Sequence, residues 1–532
     1  MRRISLAVLA TAVAVSAVAA PALAQKSGGI LKGYHRGNPP SGSPHEEATI
    51  STVMQYMSVF NNLVMFDPAK RIESAETLVP DLATSWKWDA SKTKLTFQLR
   101  SGVKWHDGKP FTAKDVKCTF DLLQGKSKSR LRKNPRSIWY HNLKEVKVDS
   151  DNAATFVLGR PQPAFLLMLA AGYSPVYPCH VSPKKMRTNP IGTGPFKFVE
   201  FKRSEHIKFT RNPDYWKKGK PLLDGHEWRI IKSRSTRVLA FTNGDFDITF
   251  DSDVTIPLLK DVKARAPKAV CDLKSTGVST NLIVNATAPP FNDAKIREAM
   301  SLSLDRKAFI DILSEGKAVK GGAMLPPPSG KWGMPKEMLD QLPGYNDNDV
   351  GKNRAKARKI MEGLGYSKEK PLKVKISTRN IAIYRDPAVI LIDQLKTIHI
   401  AAELDVVDTS IWHAKVARKD YSVGLNLTGV GVDDPDVNFY ENYKCESQRN
   451  YTKYCNKDLE KLFEAQSMEA DENKRKKIVW EIEKQLALDV ARPIISHLKA
   501  ATCWHPHVKG VSLHSNSIYN SWRLENVWLD RK

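Results

Sequence analysis

Hydrophobic positions recur at two periods along this chain. Leu95, Phe97 and Leu99 alternate with Thr96, Gln98 and Arg100, the pattern of a strand buried on one face. Phe196 and Phe198 alternate in the same way, and His206-Ile207-Lys208-Phe209 resumes the pattern after a polar break at 202–205. Those two runs predict a hairpin. It opens on Gly192-Thr193-Gly194-Pro195, a turn whose glycines tolerate positive φ and whose proline fixes φ. No Gly-Lys-Ser/Thr follows, and the turn opens a strand rather than a helix, so it reads as scaffold and not as a phosphate cradle. Helical spacing appears at Ile50, Val53, Met57, Phe60 and Val64 and predicts a helix within 46–66. Thr112 stands at a predicted N-cap, and Asp305 caps another helix running to 313. Ile296, Met300 and Leu304 lie four apart, and Ile478, Ile482, Leu486 and Val490 form one ladder that Pro493 ends. Helices are predicted at 354–364 and 387–398, with strands at 372–376 and 402–407. Strand, helix and strand in alternation place the chain in the α/β class.

Composition narrows the setting. At 532 residues the chain is too long for one core, so two or three domains are expected. Residues 1–24 stand apart: Arg2 and Arg3, an apolar run over 6–20, then Ala22-Leu23-Ala24. This predicts a secretory signal peptide cut after Ala24. No cysteine flanks the cut to take a lipid anchor, and no later stretch has the length of a membrane span. Export makes disulfide pairing the default for the six cysteines. Cys445 and Cys455, ten residues apart, suit a local bridge. Sequence alone does not pair Cys118, Cys179, Cys271 and Cys503; Cys118 with Cys179 and Cys271 with Cys503 is the expected arrangement. Cys503, His505 and His507 crowd five positions, but no CxxC or HExxH supports a metal site there. Trp105, His106 and Asp107 have no nucleophile in motif form beside them, and are expected to shape a turn.

The formal charge is +26, from 83 Lys and Arg against 57 Asp and Glu. It favours anionic partners. The charges are spread along the chain without a basic-aromatic module, which argues against nucleic acid. The cluster at 126–136 (KSKSRLRKNPR) is expected to be a solvated loop.

Several segments carry a family resemblance: PDLATSWKW, LTFQLRSGVKWHDGKPFTAKDV, PIGTGPFKF with RNPDYWKKGKPLLDG, and NATAPPFNDAKIREAMSLSLDRKAF. In this order they resemble the family 5 extracellular solute-binding proteins, the dipeptide-, oligopeptide- and nickel-type receptors of ABC importers. The resemblance runs from about residue 28 to the C-terminus. It implies an α/β, two-lobed periplasmic-binding-protein fold with an inserted domain and the ligand enclosed between the lobes. Residues 25–70, 190–275 and 492–532 would form lobe I, 71–189 the inserted domain and 276–491 lobe II. It further implies a monomeric periplasmic receptor, without cofactor or catalysis. Such a receptor hands a short peptide or peptide-like solute to an inner-membrane ABC permease with its ATPase subunits. An opine, a saccharide or a chelated metal is the alternative cargo; a sensory receptor is another reading. An exported hydrolase is not supported by any G-x-S-x-G or HExxH.

The resemblance also nominates the site. Peptide-binding members neutralise the peptide's amino terminus with the aspartate of a W-x-A-D-Y-x-D-P-like motif. The matching segment here is 429–436 (GVGVDDPD). Aligned on Pro435, Gly431 stands where that aspartate would, and Asp433 is the expected substitute. Asp434 and Asp436 also suit a turn and a helix cap. Arg379 is the expected carboxylate ligand, since a guanidinium grips a carboxylate through two parallel hydrogen bonds. Tyr384, Trp412 and His413 are candidates for the cleft wall, Trp412 suiting core packing as well. Tyr34, His35 and Arg36 follow the first strand, where the family's binding edge begins.

Overall fold

The computed structural model describes residues 25–531; the predicted signal peptide and its cleavage lie outside the described residues. Among the described residues three larger sheets carry the chain, beside two two-stranded ones. The first orders Ile30–His35, Gly225–Ile230, His206–Arg211 and Phe196–Lys202, with the first pair parallel and the rest antiparallel. The second orders Ile400–Val407, Leu372–Arg379, Val423–Gly429, Val270–Val284 and Ile494–Trp504. The third is an antiparallel sheet of Ala83–Trp88, Lys94–Leu99, Ala153–Leu158 and Leu143–Ser150.

Two long antiparallel strands join the lobes. Val270–Val284 gives Val278 to the core that includes the first sheet, and Leu282 and Val284 to the core around the second. Ile494–Trp504 does the same with Ala501 and Cys503 on one side and Ile495 on the other. The pairing of these strands shifts register between Ser275 and Ser279, close to the passage from one core to the other. Disulfides pair Cys118 with Cys179, Cys271 with Cys503 and Cys445 with Cys455.

The predicted hairpin forms, but its glycines serve a different purpose from the one expected. Neither Gly192 nor Gly194 lies at positive φ; a Cβ would fall 1.9 Å from the Val59 carbonyl oxygen at Gly192 and 2.4 Å from the Val59 carbonyl carbon at Gly194. They are glycines because two backbones touch. The same contact shortens the helix predicted within 46–66. The Gly194 N–H donates to the Val59 carbonyl at 2.9 Å, so the helix covers only Ile50–Tyr56, a single 3₁₀ turn follows, and a strand resumes at Val64–Phe66. His106 fastens this junction as a turn residue: its backbone N–H meets the Gly192 carbonyl and its ring meets the Gly194 carbonyl at 3.0 Å.

Two other boundaries move. The helix expected to begin at Pro387 spans Ala382–Lys396 with the proline inside it, carried by Ala388, Leu391 and Leu395 on the second core. The long helix spans Glu472–Leu488 and ends before Val490, which adopts φ 51°. Val490 therefore leaves the predicted ladder.

Candidate functional site

Between the lobes, elements distant in sequence bring arginines together. Arg379 ends the strand Leu372–Arg379, Arg36 follows Ile30–His35, Arg136 precedes the short turn Ser137–Tyr140, and Arg449 sits in the loop closed by Cys445–Cys455. All four are buried, at 2, 7, 4 and 4 % exposure. Their partners are few. Arg379 donates to the Tyr384 hydroxyl at 2.7 Å and to Thr409 Oγ1 at 3.0 Å, and lies 4.6 Å from the Tyr384 ring. Arg136 donates to the Glu47 carbonyl at 2.9 Å and stacks on Tyr173 at 3.2 Å. Arg36 rests on the Phe250 ring at 4.6 Å, and its guanidinium has no hydrogen-bond partner among the described residues.

Among the described residues one carboxylate is paired directly with these arginines, although the charge of Asp253 also reaches Arg36. Glu441, on the helix Pro435–Asn442, accepts from Trp139 Nε1 at 2.9 Å, stands 3.5 Å from Arg136 Nε and pairs with Arg449. The nearby Glu46 and Glu47 are taken by Arg187, and by Arg132 and Lys133. Asp253 is taken by Arg237 at 2.9 Å. Burial, followed by the charges of Arg379, Arg449, Lys133 and Arg136, holds His413 well below its usual pKa. The imidazole is therefore neutral. Burial lowers the Arg36 pKa, the neighbouring Arg379 adding to the effect and Tyr384 opposing it.

Buried polar atoms without hydrogen-bond partners gather around these arginines. Arg36 Nε, Arg136 Nε, Arg449 Nε, His413 Nε2 and the Tyr173 hydroxyl have no hydrogen-bond partner among the described residues. Removing an unpaired guanidinium from water costs on the order of several kcal/mol. Several such atoms gather in one place between the lobes.

Of the residues nominated from sequence, Arg379, Tyr384 and His413 meet here. Trp412 does not: it is fully buried in a core with Ile283, Val407, Val416, Tyr421 and Tyr451. His35 is scaffold, its ring held between the Ser51 carbonyl and the Gly37 N–H at 3.1 Å each, and burial lowers its pKa to about 3. Tyr34 packs edge-on against Phe246 at 5.7 Å. At Gly431 a Cβ would lie 2.8 Å from Trp139 and 3.4 Å from Tyr173, so two rings fill the space a side chain would need. Asp433 is directed elsewhere. It accepts the Lys331 N–H at 3.0 Å and borders a separate cavity of about 520 Å³ with Glu73 and Asn516. Burial raises its pKa to about 7. The structure thus does not bring Asp433 to the arginines. Asp434 caps its helix through the Asp436 N–H at 2.9 Å.

Arg136, Tyr173, Glu441 and Arg449 escape the sequence reading. The segment 126–136, expected to be solvated, ends in a buried residue: Arg136 is 4 % exposed. The one sequence signal is the short disulfide loop that carries Arg449.

Known proteins share the sequence family and the fold of this chain. The model of the bacterial extracellular solute-binding proteins, family 5 (Middle), matches residues 77–450. The dipeptide-binding protein of Escherichia coli K12 is 25 % identical, covering 100 % of this chain and 98 % of its own. Among solved structures, DppA from Helicobacter pylori in complex with the peptide STSA superposes with a TM-score of 0.83 at 21 % identity, covering 95 % of this chain and 99 % of that one. AgaA from A. tumefaciens R10 in complex with agropinic acid superposes at 0.80 with 21 % identity, covering 95 % and 99 %. Proteins of this fold therefore hold the peptide STSA in one case and agropinic acid in another.

Proposed function

We propose that this chain, which belongs to the bacterial extracellular solute-binding proteins of family 5, captures a short peptide or peptide-like solute between its lobes and delivers it to an ABC importer. The observation that carries the reading is Arg379. It is oriented by Tyr384 and Thr409, which occupy only part of its five-donor fork. The remaining N–H groups grip a ligand carboxylate bidentately. Arg36 and Tyr173 approach from the opposite side, so the ligand is contacted by both lobes and favours the closed form.

In this reading the lobes are residues 25–70, 190–275 and 492–532 on one side and 276–491 on the other, with 71–189 inserted. The strands Val270–Val284 and Ile494–Trp504 form the hinge. Arg234 with Asp386 at 3.0 Å, and Arg203 with Ser410 at 3.3 Å, latch the closed state. The mature protein begins at Gln25, resides in the periplasm, acts as a monomer and binds without turnover. Among the described residues no helix is long and apolar enough to cross a membrane, and the permease and its ATPase subunits supply the membrane step. Native mass spectrometry of protein purified from its periplasm tests the proposal. A co-purifying peptide or amino-acid conjugate is expected; a sugar or a metal chelate overturns it.

A further inference from the structure

The balance of charge at this site is unlike that needed for an ordinary zwitterionic peptide. A zwitterion presents one ammonium and one carboxylate, and a buried ammonium requires an anionic partner. The position assigned to that partner by motif is Gly431, crowded by Trp139 and Tyr173. Asp433 turns to Lys331 instead. Among the described residues Glu441 is the remaining carboxylate: Trp139 and Arg136 meet its Oε2, and Arg449 pairs ionically with its Oε1, which accepts no hydrogen bond. Against it stand four guanidiniums, of which Arg36 has no hydrogen-bond partner and Arg379 only hydroxyl partners among the described residues.

We propose that the natural ligand is a net-anionic, peptide-like acid carrying at least two carboxylates, with any amine it bears left unanchored by a protein carboxylate. Arg379 takes one carboxylate and Arg36 the second. Arg136 Nε, Arg449 Nε and His413 Nε2 present three further polar atoms that have no hydrogen-bond partner among the described residues, Arg136 Nε lying 3.5 Å from the Glu441 carboxylate. The Nε atoms donate to ligand oxygens. The neutral His413 ring already meets the Tyr451 hydroxyl through Nδ1 at 3.2 Å, leaving Nε2 to the ligand. Tyr173 and Trp139 wall the end where a peptide's amino terminus would otherwise be neutralised. The electrostatic surplus is local: the neighbouring acids Glu46, Glu47 and Asp253 are each paired with their own Arg or Lys. This inference rests on the peptide-like reading above and adds the charge of the cargo.

Titration calorimetry on the ligand-stripped protein compares Asp-Glu, N-acetyl-Asp-Glu and Ala-Ala. Asp-Glu is expected to bind at least about 100-fold tighter than Ala-Ala, and acetylation to change its affinity by less than about threefold. Arg36→Gln removes most of the acidic preference, whereas Arg36→Lys retains part of it, because charge persists without the planar fork. Ala-Ala binding as tightly as Asp-Glu overturns the proposal, as does a loss of about 100-fold or more on acetylation. If none of the three binds, the solute found by native mass spectrometry decides. An anionic non-peptide removes the peptide reading and leaves the charge inference standing; a neutral or cationic solute overturns the charge inference.

Discussion

The helix Pro435–Asn442 carries two kinds of buried charge, one near each end. At its start, Asp434 pairs with Arg475 through both oxygens at 2.7 and 2.9 Å, and Asp436 accepts from Gln162, Gln466 and Ser467 at 2.7 to 2.8 Å. Every carboxylate oxygen there has a partner. Near its end, Glu441 meets more cations than it can neutralise, and the arginines beyond it retain free donors. Both sets are equally removed from water. The first closes on itself and bolts together helices of one lobe and a loop near the inserted sheet; the second is left open at a place where two lobes meet. Saturation, rather than burial, separates scaffold from site.

The largest test of that difference is Arg475→Ala. It strands two buried carboxylates, so urea unfolding should show a loss of about 3–5 kcal/mol; a change below about 1 kcal/mol would mean the bolt is dispensable. Asp433 offers a pH test. Its folded pKa of about 7 lies above the ordinary carboxylate value of 3.8. The unfolded chain therefore releases this proton first, and stability falls as pH rises from about 4 to about 7. Asp433→Asn keeps the acceptor for Lys331 and removes the titration. Relative to the parent it should gain about 2–4 kcal/mol at pH 8 and little at pH 4, and equal shifts at both pH values would refute the assignment.

Arg379→Gln acts on the open set. Ligand affinity should fall about 100-fold, close to 3 kcal/mol, while the ligand-free melting curve stays within about 1 kcal/mol of the parent. Unchanged affinity would remove Arg379 from the site. The smallest effect is expected at Arg36→Met, which exchanges an unpaired buried cation for an apolar side chain of similar length. The ligand-free protein should become more stable by about 1 kcal/mol. Destabilisation instead would show that Arg36 has a structural partner in solution.

Much of the fold was legible in local pattern. Alternation at 95–100 and across 196–209, the cap at Thr112 and the motif order all follow from residues near one another in the chain, where period and turn chemistry act. The helix predicted within 46–66 forms but stops at Tyr56, short of the predicted span, because Gly194, far downstream, takes the Val59 carbonyl. Of the arginine cluster, the family resemblance reaches Arg379 and Tyr384, and it flags the departure at Gly431 beside it. The site was not legible at Arg136, Glu441 or Arg449, which contribute through position alone and sit in segments that look like charged loop or helix.

The sequence by itself determined the class of this protein: an α/β chain with the motifs of the family 5 solute-binding proteins, six cysteines able to pair, and a glycine at 431 where the resemblance puts an aspartate. Tertiary structure alone decided which charges are left open. Whether an arginine is neutralised depends on which carboxylates lie within a few ångströms of it, and those come from segments separated by up to hundreds of residues. Arg475 finds two of them, and Arg36 finds none among the described residues.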